Sequence, residues 1–245
     1  MKIDLNCDLG ESFGAYKIGN DEEVIRYVHR VNIACGFHAG DPVVMDRTVQ
    51  LAKENGVIVG AHPGYRDLAG FGRRFLAMSV HEIENEVLYQ IGALAAFCAK
   101  HNVKMDHVKP HGALYNYAAD NYEVARAIAK AIKDFDPSLK MIVLYNSEME
   151  KAAEDTGLNY LREAFADRHY DAKGRLVSRS VKGSVITDID IIKNRVRAMI
   201  MDGMLESFDG IPVKVKPDTI CVHGDNAHAL EVAKALKELI DNLNQ

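Results

Sequence analysis

Ionisable side chains recur in this sequence at one kind of place, the end of a short apolar run. Asp8 and Glu11 follow KIDLNC, His38 and Asp41 follow VNIACGF, and His62 follows VIVGA. Lys109 and His111 follow MDHV, Asn146 follows MIVLY, and Asp167 and Arg168 follow YLREAFA. His223 and Asp225 follow TICV. Acids, imidazoles and one lysine delivered to a common mouth could run acid–base chemistry or coordinate a cation. Each taken alone has a plainer use. Asp41 stands before Pro42 and an amphipathic stretch, so it reads as a helix N-cap; Asp8 or Asp225 could cap in the same way. A lone histidine at a strand end is more often structural than catalytic. The convergence of the whole row favours an active site.

The elements that must position this row alternate along the chain. Strands are expected at residues 2–7, 31–37, 57–61, 105–108, 141–145, 160–166 and 219–222. Amphipathic helices lie between them. One starts at Asp41–Pro42 and ends before Gly56. Another starts at a Ser79/Glu82 capping box and runs to about Lys100. Asp120 with Glu123 and Thr187 with Asp190 look like further starts, and a last helix covers residues 227–243. Alternating β and α favours a parallel sheet.

Side-chain parity then separates a barrel from an open sheet, because residues two apart in a strand share a face. Asp4, Asn6 and Asp8 share one face of the first strand, opposite Ile3, Leu5 and Cys7. Asn32, Ala34, Gly36 and His38 share a face of the second. His107, Lys109 and His111 go together, as do Glu163 with Asp167 and His223 with Asp225. An open sheet covered by helices on both faces would be apolar on both. One apolar face and one that grows polar toward the strand ends predicts a distorted (β/α)7 barrel over residues 1–245, with its site at the C-terminal rim.

Two loops at that rim are longer than a turn needs. PGYRDLAGFGRRF (63–75) carries Arg66, Arg73 and Arg74, and RHYDAKGRLVSRSVKGS (168–184) carries Arg168, Lys173, Arg175, Arg179 and Lys182. Such loops are binding loops, whose arginines could hold a phosphate or carboxylate, or simply solvated surface. No GxxxxGK[ST] loop and no GxGxxG after a strand is present, so a nucleotide would bind by other means or on a partner. No HExxH helix is found either. Metal ligation by Asp8, His38 and His62 stays open, without a close-spaced ligand pair behind it. The SFDGIPVKV segment (207–215) places an Asp-Gly turn between two strand-like pieces, a small structural hairpin.

Bulk composition narrows the partners. The 245 residues carry 30 Lys+Arg against 35 Asp+Glu, a net −5, with 48% apolar residues. A mildly acidic chain without a basic cluster argues against nucleic acid or an anionic membrane surface. No apolar run reaches the roughly 20 residues a membrane span needs. The start, MKIDLNCDLGE, does not read as a signal peptide. Cys7, Cys35, Cys98 and Cys221 sit in apolar segments without CxxC spacing, as reduced thiols of a cytoplasmic protein would.

Seven stretches, in order, carry a resemblance: DLNCDLGESFG (4–14), NIACGFHAGDP (32–42), GAHPGYRD (60–67), GFGRR (70–74), VKPHGALYN (108–116), EAFADRHYD (163–171) and CVHGDN (221–226). Together they span nearly the whole chain and resemble the LamB/YcsF family of 5-oxoprolinase A subunits. The resemblance implies ATP-dependent opening of 5-oxoproline to L-glutamate, with ATP as a magnesium-bound co-substrate and 5-oxoprolinase subunits B and C as partners. It also implies a distant kinship with barrel deacetylases acting on carbohydrate amides. For that reaction Asp8, His38 or His62 would activate water or the amide, and Glu163 or Asp167 would be the base. Glu11, His223 and Asp225 belong to the same site. Lys109 and His111 would stabilise the oxygen or phosphoryl group, and Arg73, Arg74 or Arg168 would hold a carboxylate or phosphate. The competing readings are a stand-alone metal-dependent deacetylase or amidohydrolase, and a non-catalytic subunit that binds a lactam. A homo-oligomer stays open.

Overall fold

The parity of the strands sets the architecture. The computed structural model describes residues 3–223 and 229–244. Six strands come first: β1 (Asp4–Leu9), β2 (Arg30–Ala34), β3 (Ile58–His62), β4 (Met105–Val108), β5 (Lys140–Leu144) and β6 (Tyr160–Phe165). They pair in sequence order, all parallel. A short antiparallel hairpin, β7 (Met204–Glu206) and β8 (Pro212–Lys214), intervenes with the expected Asp209–Gly210 turn. The last strand, β9 (Thr219–His223), pairs with β6 on one side and β1 on the other, closing a seven-stranded barrel.

Register keeps like parity together around the ring. Asp8 lies opposite Asn32 and His223, Asn32 opposite Gly60, Gly60 opposite His107, and Phe165 opposite Cys221. These are the inward rows. Leu5, Cys7, Val31, Ile33, Val59 and Ala61 point outward and are fully or almost fully buried. They meet the helices: α1 (Asp21–Val24), α2 (Pro42–Glu54), α3 (Val80–His101), α4 (Gly112–Asp120), α5 (Tyr122–Phe135), α6 (Glu148–Thr156), α7 (Ile189–Met201) and α8 (Ala229–Leu243). In α5, for example, Val124, Ile128 and Ile132 recur every fourth position and are buried.

Helix starts follow local chemistry. Asp41 caps α2, accepting from Val43 N at 2.8 Å and Val44 N at 2.9 Å, and its second oxygen accepts from Gly14 N at 2.8 Å. The Ser79/Glu82 capping box is formed. Two expected caps shift by one residue. Asp120 is the last residue of α4, so the extended residue that caps α5 is Asn121. Asp188, a better acceptor than Thr187, caps α7.

The second strand also stops earlier than expected, at Ala34. Gly36 has φ +91, a conformation that ends β geometry, and its N–H bonds Ala39 O at 2.8 Å. His38 therefore sits in a turn, not on the strand.

Polar groups fill the barrel as a continuous chain. Near the strand starts Arg30, 4% exposed, bonds Asp4 and Asp106, and Lys140 bonds Asp106 at 2.7 Å. Arg30 also donates to His107 Nδ1 at 2.9 Å, while His107 Nε2 donates to Asn32 Oδ1 at 2.7 Å. That arrangement needs a neutral ring, and burial does hold its pKa down, at about 4. Gly60 leaves room for it: a Cβ there would lie 2.2 Å from the imidazole. Asn32 then donates to Asn6 and to Asp8, each at 2.8 Å, which carries the chain to the C-terminal rim.

Candidate active site

Lys109 centres the floor of the rim. Its backbone N–H bonds Ala61 O at 2.8 Å, continuing the β3–β4 ladder one residue past β4. Its ammonium lies 2.9 Å from Asp8 Oδ1, 2.8 Å from Glu163 Oε1 and 3.1 Å from Cys221 Sγ. Lys109 is 2% exposed and Glu163 1% exposed, so the charges are desolvated and must compensate one another. Burial alone would lower the lysine pKa, but Asp8, Cys221 and Glu163 outweigh it, and the ammonium is stabilised well above its ordinary range. Burial likewise opposes the Asp8 carboxylate, and His62 with Lys109 overcomes it, so Asp8 stays ionised.

Beside this floor three imidazoles pack together. The His38 and His111 rings stack at 3.7 Å with 4° between planes, and His62 stands edge-on to both. The loop after β3 folds over them. Gly72, at φ +62, approaches so closely that a Cβ would lie 2.6 Å from His38 and 2.7 Å from His111. Gln90 of α3 clamps the backbone of Gly64 with bonds of 2.9 and 3.0 Å. His38 is fully buried as a result. His62 Nδ1 bonds Lys109 O at 2.7 Å and His111 Nε2 bonds Phe71 O at 2.8 Å. A carbonyl only accepts, so both of those nitrogens carry the proton. Glu11 Oε1 is 3.5 Å from His38 Nε2 and 3.8 Å from His111 Nδ1. Burial, then the neighbouring rings, hold His38 and His111 well below the usual histidine pKa.

Across the mouth, His223 Nδ1 contacts both oxygens of Asp167, at 2.9 and 3.0 Å. The carboxylate fixes the ring and leaves Nε2 for the cavity that His223 lines. Burial opposes the Asp167 carboxylate, but His223 outweighs it and keeps its pKa low. The cavity itself measures about 470 Å³ and is lined by Asp8, Glu11, His62, Lys109 and His111 on one side. Arg73, Arg168, Arg179, Ser178 and Ser180 line it on the loop side. The guanidinium of Arg168 is pulled down to about 10 by burial and then by Arg179, and its Nε is buried without a hydrogen bond. Neighbouring cations at a cavity mouth suit an anionic ligand.

Comparison with known proteins places this geometry. The LamB/YcsF family profile matches residues 3–245. The chain belongs to the LamB/YcsF family. Its relatives include proteins named as the A subunit of 5-oxoprolinase. That of Natranaerobius thermophilus is 55% identical over 97% of this chain and 93% of its own length. That of Pyrococcus abyssi is 53% identical over 98% and 94%, and that of Campylobacter jejuni 52% identical over 97% and 93%. The crystal structure of the lactam utilization protein from Thermus thermophilus superposes with TM-score 0.93 at 47% identity, covering 99% of this chain and 97% of that one. A family 4 carbohydrate esterase from Streptomyces lividans shares the fold, with TM-score 0.51 at 10% identity over 99% and 89%.

The stretches that carry the LamB/YcsF resemblance supply most of the cavity wall. Asp8, Glu11, His62, Lys109, His111 and His223 line it directly, with Arg73 and Arg168 at the mouth. Glu163 and Asp167 stand behind Lys109 and His223. His38 lies behind His111, sealed from the cavity. Arg74 turns away: its guanidinium bonds Asp67 and its side chain is 64% exposed, so it braces the loop. Asp225 lies outside the described residues. The expected metal trio divides, with His38 and His62 grouping with Glu11 and His111 while Asp8 groups with Cys221 and His223. Cys221 was not anticipated, although it shares strand parity with His223; Asn6 and Asn32 were placed on the inward faces but not named as site residues.

Proposed function

We infer that this chain is the A subunit of a 5-oxoprolinase, working in an assembly with B and C subunits that converts 5-oxoproline, ATP and water to L-glutamate, ADP and phosphate. The observation that carries this reading is identity above 50% over nearly the full length of relatives bearing that name. The cavity chemistry fits it. A lactam is a stable amide whose nitrogen leaves poorly. Phosphorylation of its oxygen makes the ring carbon electrophilic; one water adds and the C–N bond breaks to leave an acyl phosphate, from which a second water displaces phosphate. Lys109 keeps Asp8 ionised at the floor, where that carboxylate can orient the attacking water. His223, oriented by Asp167, moves the proton between water and the ring nitrogen. This gives the base role expected of Asp167 to its partner. Arg73, Arg168 and Arg179 hold the substrate carboxylate or the phosphoryl group. Among the described residues no helix is long and apolar enough to cross a membrane, and all four cysteines are free; both fit a cytoplasmic enzyme.

Reconstitution tests the reading. The chain mixed with B and C subunits, 5-oxoproline and Mg-ATP should release glutamate and ADP together, and omission of any one component should stop both. Asp167→Asn should lower turnover by about 10²–10⁴-fold. Undiminished turnover without this chain would refute the assignment. ATP-independent release of acetate from an acetylated sugar by the chain alone would favour the deacetylase reading instead.

A further inference from the structure

The imidazole cluster contains a contradiction that a bound cation resolves. Lys109 O and Phe71 O fix the protons of two rings on His62 Nδ1 and His111 Nε2. The remaining nitrogens, His62 Nε2 and His111 Nδ1, are then bare acceptors when the rings are neutral. Yet they face each other at 3.0 Å. Two lone pairs at that distance repel unless something positive lies between them. A proton held by that pair accounts for the contact and for the pull of His62 on Asp8, 3.4 Å from His62 Nε2, but it leaves His38 unexplained. His38 is fully buried and neither of its ring nitrogens makes a hydrogen bond. A buried imidazole without a hydrogen bond loses its solvation for little in return. Glu11 completes the set from the other side.

We propose that Glu11, His38, His62 and His111 form a binding site for a divalent transition-metal ion of the zinc class. One donor atom from each lies within 4.8 Å of all the others. Four donors around zinc, at roughly 2.0–2.2 Å, stand about 3.3–3.6 Å apart. Three of the six separations, at 3.0, 3.5 and 3.8 Å, lie near that spacing, and His38 must turn out of its parallel stack on His111 before both rings aim a lone pair at one ion. Three imidazoles and one carboxylate select zinc, iron, cobalt or nickel over magnesium or calcium. The two carbonyls that orient His62 and His111 are the outer-shell acceptors that metal-bound histidines ordinarily have. The second acidic group, Asp8 with Cys221 and His223, is a poorer choice because the Lys109 ammonium already sits among its donors. Glu11, His62 and His111 also line the cavity, so the ion would face whatever is bound there. The inference does not depend on the substrate assigned above.

Cobalt titration of the full chain tests it. After chelator treatment, the chain should take up one Co²⁺ with the intense visible bands of low-coordinate cobalt, and Zn²⁺ should displace it. His38→Gln should weaken binding by more than the roughly 10–100-fold that loss of an outer-shell partner costs. Cys221→Ala should leave cobalt binding unchanged. No uptake by the unmodified chain, or only the pale bands of a hydrated surface ion, would overturn the proposal, whatever the variants do. So would His38→Gln binding as tightly as the original, or loss of the site in a folded Cys221→Ala chain.

Discussion

Lys109 is the charge on which the cavity floor depends. With Asp8, Glu163 and Cys221 around it, the ammonium offsets two carboxylates in a region with almost no solvent contact. Lys109→Met would leave both acids buried together. We expect a loss of about 3–5 kcal/mol, the usual cost of stranding one half of a buried pair, measurable by urea unfolding. Adding Glu163→Gln should restore part of that loss, since one stranded charge is then gone. A single variant as stable as the original would show that the acids take up protons freely, and the compensation argument would fail. Arg73 and Arg74 show the limit of reading residues singly: adjacent in sequence, one lines the cavity and the other ties down Asp67.

Strands were the legible elements, and loops were not. Period-two alternation let the inward rows be assigned from the sequence, and Asp8, Lys109, Glu163 and His223 fell where parity put them because each lies on or beside a regular strand. Parity has no force once β geometry ends. Gly36 ends it before His38, so the stacking of His38 on His111 is set by the turn and by the loop folded over both. The ion pairs of Arg30 with Asp4 and Asp106 at the strand starts were also missed, since Arg30 and Asp106 taken singly look like solvent-facing residues. β3 offers a direct test of the barrel interior. Gly60→Ala would push a methyl into the His107 ring. Overpacking of this kind costs about 1–3 kcal/mol, and more where the neighbour cannot move. His107 is fixed at both nitrogens, so the upper part of the range is expected in thermal unfolding. A melting temperature equal to that of the parent would mean that the ring has room to shift.

For the molecule as a whole, the polar chain through the barrel predicts acid sensitivity. The folded-state pKa of His107 is depressed from 6.5 to about 4, with burial as the leading cause. The unfolded chain therefore binds a proton below about pH 6.5 that the native state refuses until about pH 4. Stability from this group is complete above 6.5 and falls as pH drops through that window, by up to about 3 kcal/mol. Asp106 extends the loss further down: burial opposes its carboxylate, but bonds from Lys140 and Arg30 hold its pKa far below the usual range. Urea midpoints measured between pH 7 and 4 should fall less steeply for His107→Gln than for the unmodified protein. Parallel curves would remove His107 from the account.

Among the described strands, the one that seals the ring is also the last to be made. β9 fills the gap between β6 and β1, which stand more than 50 and 200 residues upstream of it. While the ribosome is still working through the α7 region, both edges stay open, with unpaired amides and carbonyls available to any passing strand. Until β9 emerges, newly synthesised chains thus present two open edges that a chaperone or a neighbouring protein could shield.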